Sequence, residues 1–539
     1  MSGDRVPAER HDAIAPPYAR GQVGGPASQE QRGGDLVRGS LATLREPAVA
    51  ASTAATVLAV LVLLGLVLGV DRYSLWTDEA TTGLLMRLGI NELALHLATM
   101  RGSESTQPLY YFLLWPWVRA IGDSGATLRL PSIIFSLTVA LVLRDTLRSL
   151  GLSDTVAAVG SASFLALPAV IWYSLEARPY ALIMLCCGLH IREALHCACA
   201  SSAHVRRLAL LTLAIALAFP VAGVAALLSL GVLIRSRPGC VWPTGPRRPP
   251  AMWLSIGVLA VAALIVVWSA VTSGEIAVPR GRSGFDSLGY ALYELVLGRS
   301  IGFSVVEMRR VGSIIGLEGL IAGGVGHVLV ASSLAICFAF IALAGIRGLR
   351  PRHDSVALLV TLPWLATALL FGLYAVATGF PLLGRHLIFA LPALVITLVL
   401  GLSRSSRYTA FAAVLLVWIA GTLCFAGLFS DERYAKEDFR TVARVVSQCQ
   451  LRPDEIFYVA YPSGFEYYGV VGTRTSLSQG LELVQSMNGR RAALVVDTSR
   501  FDPQGTLDEE TQRALGLYRL DVPSLTMLST VPLDRCDVS

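Results

Sequence analysis

Apolar runs recur along this chain at close to the length of a bilayer: Ala54–Val70, Val205–Phe219, Met252–Val271, Val328–Ala344, Val356–Ala377, His386–Leu402 and Thr409–Leu428. Several approach the ~20 residues that a helix needs to cross the hydrocarbon core. The composition points the same way, with 54% hydrophobic and 15% charged residues in a chain of 539. Soluble domains carry about 25% charged residues. The pattern excludes a disordered chain and argues against a purely soluble enzyme. The fold class expected is an all-α polytopic membrane domain of about 11–12 spans, followed by a small C-terminal α/β soluble domain.

The basic excess is 44 minus 38, or +6, and Lys436 is the only lysine. Arginines cluster at Arg144/Arg148, Arg192/Arg206/Arg207, Arg235/Arg237/Arg247/Arg248, Arg347/Arg350/Arg352 and Arg404/Arg407. They read as cytoplasmic ends of spans under the positive-inside rule rather than as a nucleic-acid surface. With those ends inside, Asp78, Glu176, the loop 273–324, Arg385 and everything after residue 430 fall outside. One stretch disturbs the count. Residues 108–122 hold Pro116 and are short for a crossing, yet counting them as a full span would put Glu176 inside.

Three regions follow. Residues 1–46, rich in Gly, Pro, Ala and charge, read as a disordered cytoplasmic tail. Residues 47–429 form the membrane domain, with outer loops at about 71–107 and 273–324. Residues 430–539 change to polar alternating elements: helices near 435–449, 480–488 and 507–517, and strands at 456–460, 492–497 and 525–531. That alternation predicts a small α/β unit. Cys449 and Cys536 both fall in this region and could pair if it lies outside the cytoplasm; the spacing leaves this open.

Four polar segments interrupt the apolar background: Ser74-Leu75-Trp76-Thr77-Asp78-Glu79, Gln107-Pro108-Leu109-Tyr110-Tyr111, Leu128-Arg129-Leu130-Pro131-Ser132, and Tyr173-Ser174-Leu175-Glu176-Ala177-Arg178-Pro179-Tyr180. Taken alone, the first of these reads as a solvated loop start with an interfacial aromatic anchor. Their order and spacing over residues 71–185 resemble the GT-C class of membrane glycosyltransferases. The branch is the bacterial one related to protein O-mannosyltransferases and the lipid A aminoarabinose transferase. Its "LWxDE", "HPPLYY"-like, "LRLPS" and "SxEARPYAL" segments occur in this order. Gly384-Arg385-His386-Leu387 with Leu391-Pro392 resembles the "RYLxxxxP" segment, and Lys436-Glu437-Asp438-Phe439-Arg440 the "KxDWR" start of a C-terminal domain. Gln107 stands where the family usually has His, and His386 where Tyr is commoner, so no role of that first His carries over.

The resemblance implies an inverting transferase on the outer face of the bacterial inner membrane. It would move a hexosyl or pentosyl unit from a polyprenyl-phosphate donor to a hydroxyl on a glycolipid, envelope glycan or protein. A carboxylate at the membrane face can take the acceptor's proton as general base; Asp78 is the candidate, with Glu79 second. The leaving phosphate calls for cations that match it in two-pronged fashion, and Arg178 and Arg385 are the candidates. Glu176 could orient Arg178 or contact the acceptor, and Tyr180 could wall the substrate. No nucleotide-binding signature is present and no cofactor is indicated. Asp78 with Glu176 could hold a divalent ion, although the resembled branch does not require one. The competing class is a transporter or lipid flippase. Transporters, however, place ionisable groups at the bilayer midplane in related halves, whereas these acids gather in loops.

Overall fold

The computed structural model describes residues 53–99, 103–197, 202–236, 250–272, 285–301, 325–350, 354–380, 382–430, 434–487, 490–501, 507, 513 and 515–533. The tail 1–46, most of the loop 273–324 and Cys536 lie outside these residues.

The chain is a helical membrane bundle followed by a five-stranded sheet. Helix α1 covers Thr53–Gly69. After it come α2 (Thr77–Arg87), α3 (Ile90–Ala98), a 3-10 turn (Ser103–Thr106), α4 (Pro108–Ile121), α5 (Gly125–Ser149), α6 (Asp154–Leu165), α7 (Pro168–Ser174) and α8 (Tyr180–Cys197). The bundle continues with α9 (Ser202–Ala218), α10 (Pro220–Ser236), α11 (Pro250–Thr272), α12 (Phe285–Leu297), α13 (Val325–Gly348), α14 (Ser355–Thr378), α15 (Leu391–Leu402) and α16 (Arg407–Ser430). Among the described residues, α5, α14 and α16 are each long and apolar enough to cross a membrane, and α6 with α7 reach that length only together, bent by 60° at their break. A membrane leaves no water for loose backbone groups, so the crossing elements are helices. Leu68, Leu141, Leu264, Leu369 and Phe411 point outward and stay exposed, while Trp172, Trp364, Tyr110, Tyr111 and Phe389 fill the interior.

Local sequence sets the breaks. Ser124 Oγ accepts from Thr127 N at 3.2 Å and caps α5. Pro168, at the first position of α7, starts a new helix after the break, and Pro220 likewise separates α10 from α9. The glycines Gly345 and Gly401 let α13 and α15 touch backbone to backbone, and a Cβ on Gly401 would overlap the carbonyl of Gly345.

The stretch 108–122 is not a span. Helix α4 has 14 residues, about 21 Å at 1.5 Å per residue, against a hydrocarbon core of ~30 Å. It begins beside the Glu104–Arg178 pair and ends at Asp123, whose backbone carbonyl accepts from the Tyr467 hydroxyl. Both ends thus lie at one end of the bundle. Removing that crossing puts Asp78 and Glu176 at the same end, which the arginine clusters require and the simple count did not.

The C-terminal strands are β1 (Ile456–Val459), β2 (Thr473–Arg474), β3 (Ala493–Val496), β4 (Tyr518–Val522) and β5 (Leu525–Ser529), in the order β2-β1-β3-β5-β4. β1 runs parallel to β2 and β3, whereas β5 is antiparallel to β3 and β4. Helices α17 (Phe439–Gln448), α18 (Pro462–Tyr467), α19 (Leu477–Ser486) and α20 (Thr498–Phe501) connect and cover them. The two faces of the sheet feed separate cores, with Ile456, Tyr458 and Val495 on one and Phe457, Val459 and Leu494 on the other. Double coverage explains the near-continuous apolar runs of β1 and β3. The sequence missed β4. It is an edge strand with alternating exposure, joined to β5 by Pro523-Ser524 with Ser524 at φ 59°, so no apolar run marks it. Cys449 is disulfide-bonded.

Candidate active site

Helix α2 opens with Thr77, Asp78 and Glu79. Carboxylates in a first helical turn face unpaired amide N–H groups and the positive end of the dipole. Asp78 and Glu79 are neighbours in sequence, but α-helical geometry turns them to different faces, and their environments differ accordingly.

Glu79 is wholly buried. Its Oε1 accepts from Arg129 Nε at 2.8 Å and from Ala177 N at 2.8 Å, and its Oε2 accepts from Arg129 Nη2 at 2.5 Å. Arg129 also donates to the carbonyls of Val70, Tyr73 and Ser74, so this guanidinium ties the end of α1 to the start of α2. Burial would raise the carboxyl's pKa, but the charges of Arg129 and Lys436 outweigh it and hold Glu79 below its ordinary range.

Glu176 is equally buried. Its Oε1 accepts from Trp172 Nε1 at 2.7 Å and from Lys436 Nζ at 3.1 Å. Lys436 lies 3.8 Å from Glu79 Oε2 as well, and its ammonium sits 4.9 Å from the Trp172 ring and 5.4 Å from that of Trp76. One ammonium from the segment between α16 and α17 thus neutralises two buried carboxylates inside a tryptophan pair.

Asp78 is the carboxylate that keeps solvent access, with its side chain 26% exposed, and Arg385 Nη1 reaches its Oδ2 at 3.3 Å. Arg385 rides on the 3-10 turn Gly384–His386, which Glu294 of α12 holds by accepting from Gly384 N at 2.7 Å. Glu294 also accepts from Tyr173 Oη at 2.9 Å and pairs with Arg299. His386 is a packing residue: its Nδ1 accepts from Leu383 N at 3.1 Å and its ring lies 5.5 Å from that of Phe380.

Arg178 is buried, with Nη1 donating to Glu104 Oε1 at 3.1 Å and lying 3.4 Å from the Tyr111 hydroxyl. Burial would lower its pKa, but Tyr111, Tyr180, Asp78 and Glu104 together keep it charged. The Tyr180 ring meets Tyr173 edge to face at 4.9 Å.

Asp78, Glu79, Glu176, Arg178, Tyr180 and Arg385 are therefore all gathered at one end of the bundle. They separate into a buried set (Arg129, Glu79, Lys436, Glu176) and a set around Asp78, Arg385 and Arg178. Sequence reasoning did not select Arg129, Glu104, Glu294, Arg299 or Lys436. Arg129 lay inside a quoted motif, and Lys436 was conspicuous as the sole lysine. Glu294 and Arg299 carried no signal in an amphipathic loop. Among the described residues, no three His, Cys, Asp or Glu side chains gather to hold a metal ion.

The C-terminal region closes the site from above. Tyr468 Oη accepts from Leu75 N at 2.9 Å, Ser463 Oγ donates to the Thr77 carbonyl at 3.1 Å, and Arg440 Nη2 donates to Asp71 Oδ1 at 2.8 Å. Gly83 admits the Tyr467 ring against α2, where a Cβ would overlap it.

These contacts define a membrane protein with a charged, buried site at one end of its bundle. The chain is similar in structure to ArnT from Cupriavidus metallidurans in the apo state, with TM-score 0.48 and 13% sequence identity, covering 89% of this chain and 98% of that one. It is similar to the same protein bound to undecaprenyl phosphate, with TM-score 0.45 and 12% identity, covering 88% and 98%. It is also similar to an Archaeoglobus fulgidus oligosaccharyltransferase in complex with Zn and sulfate, with TM-score 0.36 and 12% identity, covering 73% and 59%. Similarities of this size carry no argument about donor, acceptor or mechanism. No protein-family model matches the chain, and no curated protein matches it.

Proposed function

We propose that this protein is an inverting glycosyltransferase that moves a sugar from a polyprenyl-phosphate donor to a hydroxyl acceptor. Its site would lie on the outer face of a bacterial inner membrane, covered by an extracytoplasmic domain from about residue 430. The observation that carries the reading is the Asp78–Arg385 pair at 3.3 Å. It sets a partly solvated carboxylate beside a cation fit for phosphate, at the end of the bundle opposite Arg144 and Arg148 of the 25-residue α5. Arg192 pairs with Asp145 at 2.6 Å at that far end, in keeping with a cytoplasmic face there.

In this reaction the acceptor oxygen forms a bond to the anomeric carbon while its proton passes to an Asp78 carboxylate oxygen. The bond from that carbon to the phosphate oxygen breaks, and its electron pair leaves with the polyprenyl phosphate. Arg385 and Arg178 hold the charge that develops there. Glu79 and Glu176, both buried and fully engaged, serve to fix α2 and the turn 175–179.

The experiment is transfer of labelled sugar from a polyprenyl-phosphate donor by purified protein in lipid nanodiscs, with mass analysis of the product. Wild-type protein is expected to transfer and Asp78→Asn to lose transfer while still binding undecaprenyl phosphate. Equal transfer by both removes Asp78 as the base.

A further inference from the structure

Buried polar side-chain atoms without a hydrogen bond recur in the segments that carry Asp78, Glu104 and Arg178. They are Trp76 Nε1, Thr77 Oγ1, Ser105 Oγ, Gln107 Oε1 and Arg178 Nε. Every one of these residues is more than nine-tenths buried. An unpaired polar atom at such depth costs about 1–3 kcal/mol, so a cluster of them marks a place built for a partner. Tyr110 Oη, next along the chain, is a sixth, and elsewhere in the bundle such atoms occur at Arg144, His196 and Ser229 and at His190 with Trp364, whose rings lie 5.3 Å apart.

Known contacts draw the segments together. Trp76 and Thr77 directly precede Asp78, whose charge acts on Arg178. Arg178 pairs with Glu104 at 3.1 Å, in the same 3-10 turn as Ser105 and just before Gln107. Tyr110 and Tyr111 follow, with ring centroids 5.4 Å apart, and supply aromatic surface.

The atoms offer two donors (Trp76 Nε1, Arg178 Nε), two hydroxyls that donate or accept, and one acceptor (Gln107 Oε1). The carboxylates around them already face cations: Glu79 with Arg129, Glu176 with Lys436, Glu104 with Arg178, Asp78 with Arg385 and Glu294 with Arg299. An ammonium group would therefore find no carboxylate that lacks a cation, whereas ring hydroxyls would meet donors and acceptors in mixed array. We infer that Trp76, Thr77, Ser105, Gln107 and Arg178 form a subsite for the donor's glycosyl ring, and that this ring is a neutral, hydroxyl-bearing sugar rather than an amino sugar. The inference rests on the polyprenyl-phosphate reading and adds the sugar class and the residues that read it.

The test measures affinity of the full-length protein in nanodiscs for undecaprenyl phosphate alone and for the same lipid bearing neutral hexoses, a neutral pentose or an aminopentose. At least one neutral sugar is expected to tighten binding about tenfold or more over the bare lipid, the increment that hydrogen bonds of this kind supply. The aminopentose is expected to add nothing. Gln107→Leu and Thr77→Val are expected to erase the increment and leave bare-lipid affinity unchanged, which also shows that both variants fold. An increment that survives in both variants, a preference for the aminopentose, or bare-lipid binding with no increment for any sugar would each overturn the subsite and leave the donor reading standing. Absence of bare-lipid binding by wild-type protein would overturn the donor reading and the subsite with it.

Discussion

Arg385 meets Asp78 across 307 positions of sequence, Nη1 to Oδ2 at 3.3 Å. The pair joins the first turn of α2 to the turn before α15 and brings the two ends of the membrane domain together.

Asp78→Asn keeps the size of the side chain and removes its basicity. A positioned general base supplies about 10²–10⁴-fold in rate, so kcat for transfer is expected to fall by that factor. Arg385→Lys keeps the charge but loses the planar fork, and is expected to raise KM for the phosphate-linked donor more than it lowers kcat. Steady-state kinetics with labelled donor checks both.

Arg129→Met leaves the carboxylate of Glu79 without its two-pronged partner at zero exposure. Breaking a buried ion pair costs about 3–5 kcal/mol, whereas replacing both members by apolar side chains is often close to neutral. The single variant should lose thermal stability in detergent, and Arg129→Met combined with Glu79→Leu should regain a measurable part of it.

Acid should act through the same pair. Glu79 has its carboxyl pKa depressed in the folded chain below the ordinary 4.5, so ionised Glu79 stabilises the fold fully above pH 4.5. That contribution is lost as pH falls from there through the folded value, because the unfolded chain binds the proton first. The difference in Tm between wild type and Glu79→Gln is expected to be constant near neutrality and to shrink below pH 4.5. A difference that grows on acidification would reverse the assignment.

Lys436 is the only lysine in the chain, and its side chain is 11% exposed. An amine-reactive reagent should modify it slowly in the native protein and at the rate of a free lysine once denaturant unfolds the C-terminal region. Peptide mapping by mass spectrometry separates this residue from the chain's terminal amine. Rapid native labelling would refute its place between Glu176 and Glu79.

Gly83 gives the Tyr467 ring its seat on α2. Gly83→Val should displace α18 and lower transfer, and Tyr467→Ala in the same chain should restore part of it by making room. The pair is read as a double-mutant cycle on transfer rate.

The membrane bundle and most C-terminal elements were legible because apolar periodicity is a local property. Strand β3 was read within a residue. The site motifs were legible as order and spacing, which is how Asp78, Glu176, Arg178 and Arg385 were found together. What could not be read was division of labour. Asp78 and Glu79 are chemically alike and adjacent, and only the direction of each around α2, set by Arg129 fifty positions on, separates a buried strut from a partly solvated acid. Glu294 was missed because its partners, Tyr173 and Gly384, lie far away in sequence, and Arg299 was missed with it as the partner of Glu294. The apolar stretch 108–122 was legible as too short for a crossing but its side was not, for a related reason: hydropathy records burial and cannot tell a protein interior from lipid.

The placement of Lys436 has a bearing on biosynthesis. The membrane helices are made before residue 436 leaves the ribosome, and until then Glu176 and Glu79 lie among tryptophans with one cation too few. A polypeptide cut short ahead of that lysine carries a mismatch of charge at its heart. The segment that opens the C-terminal region thus balances the charge of the bundle's interior, so docking of that region and settlement of those two acids are one event.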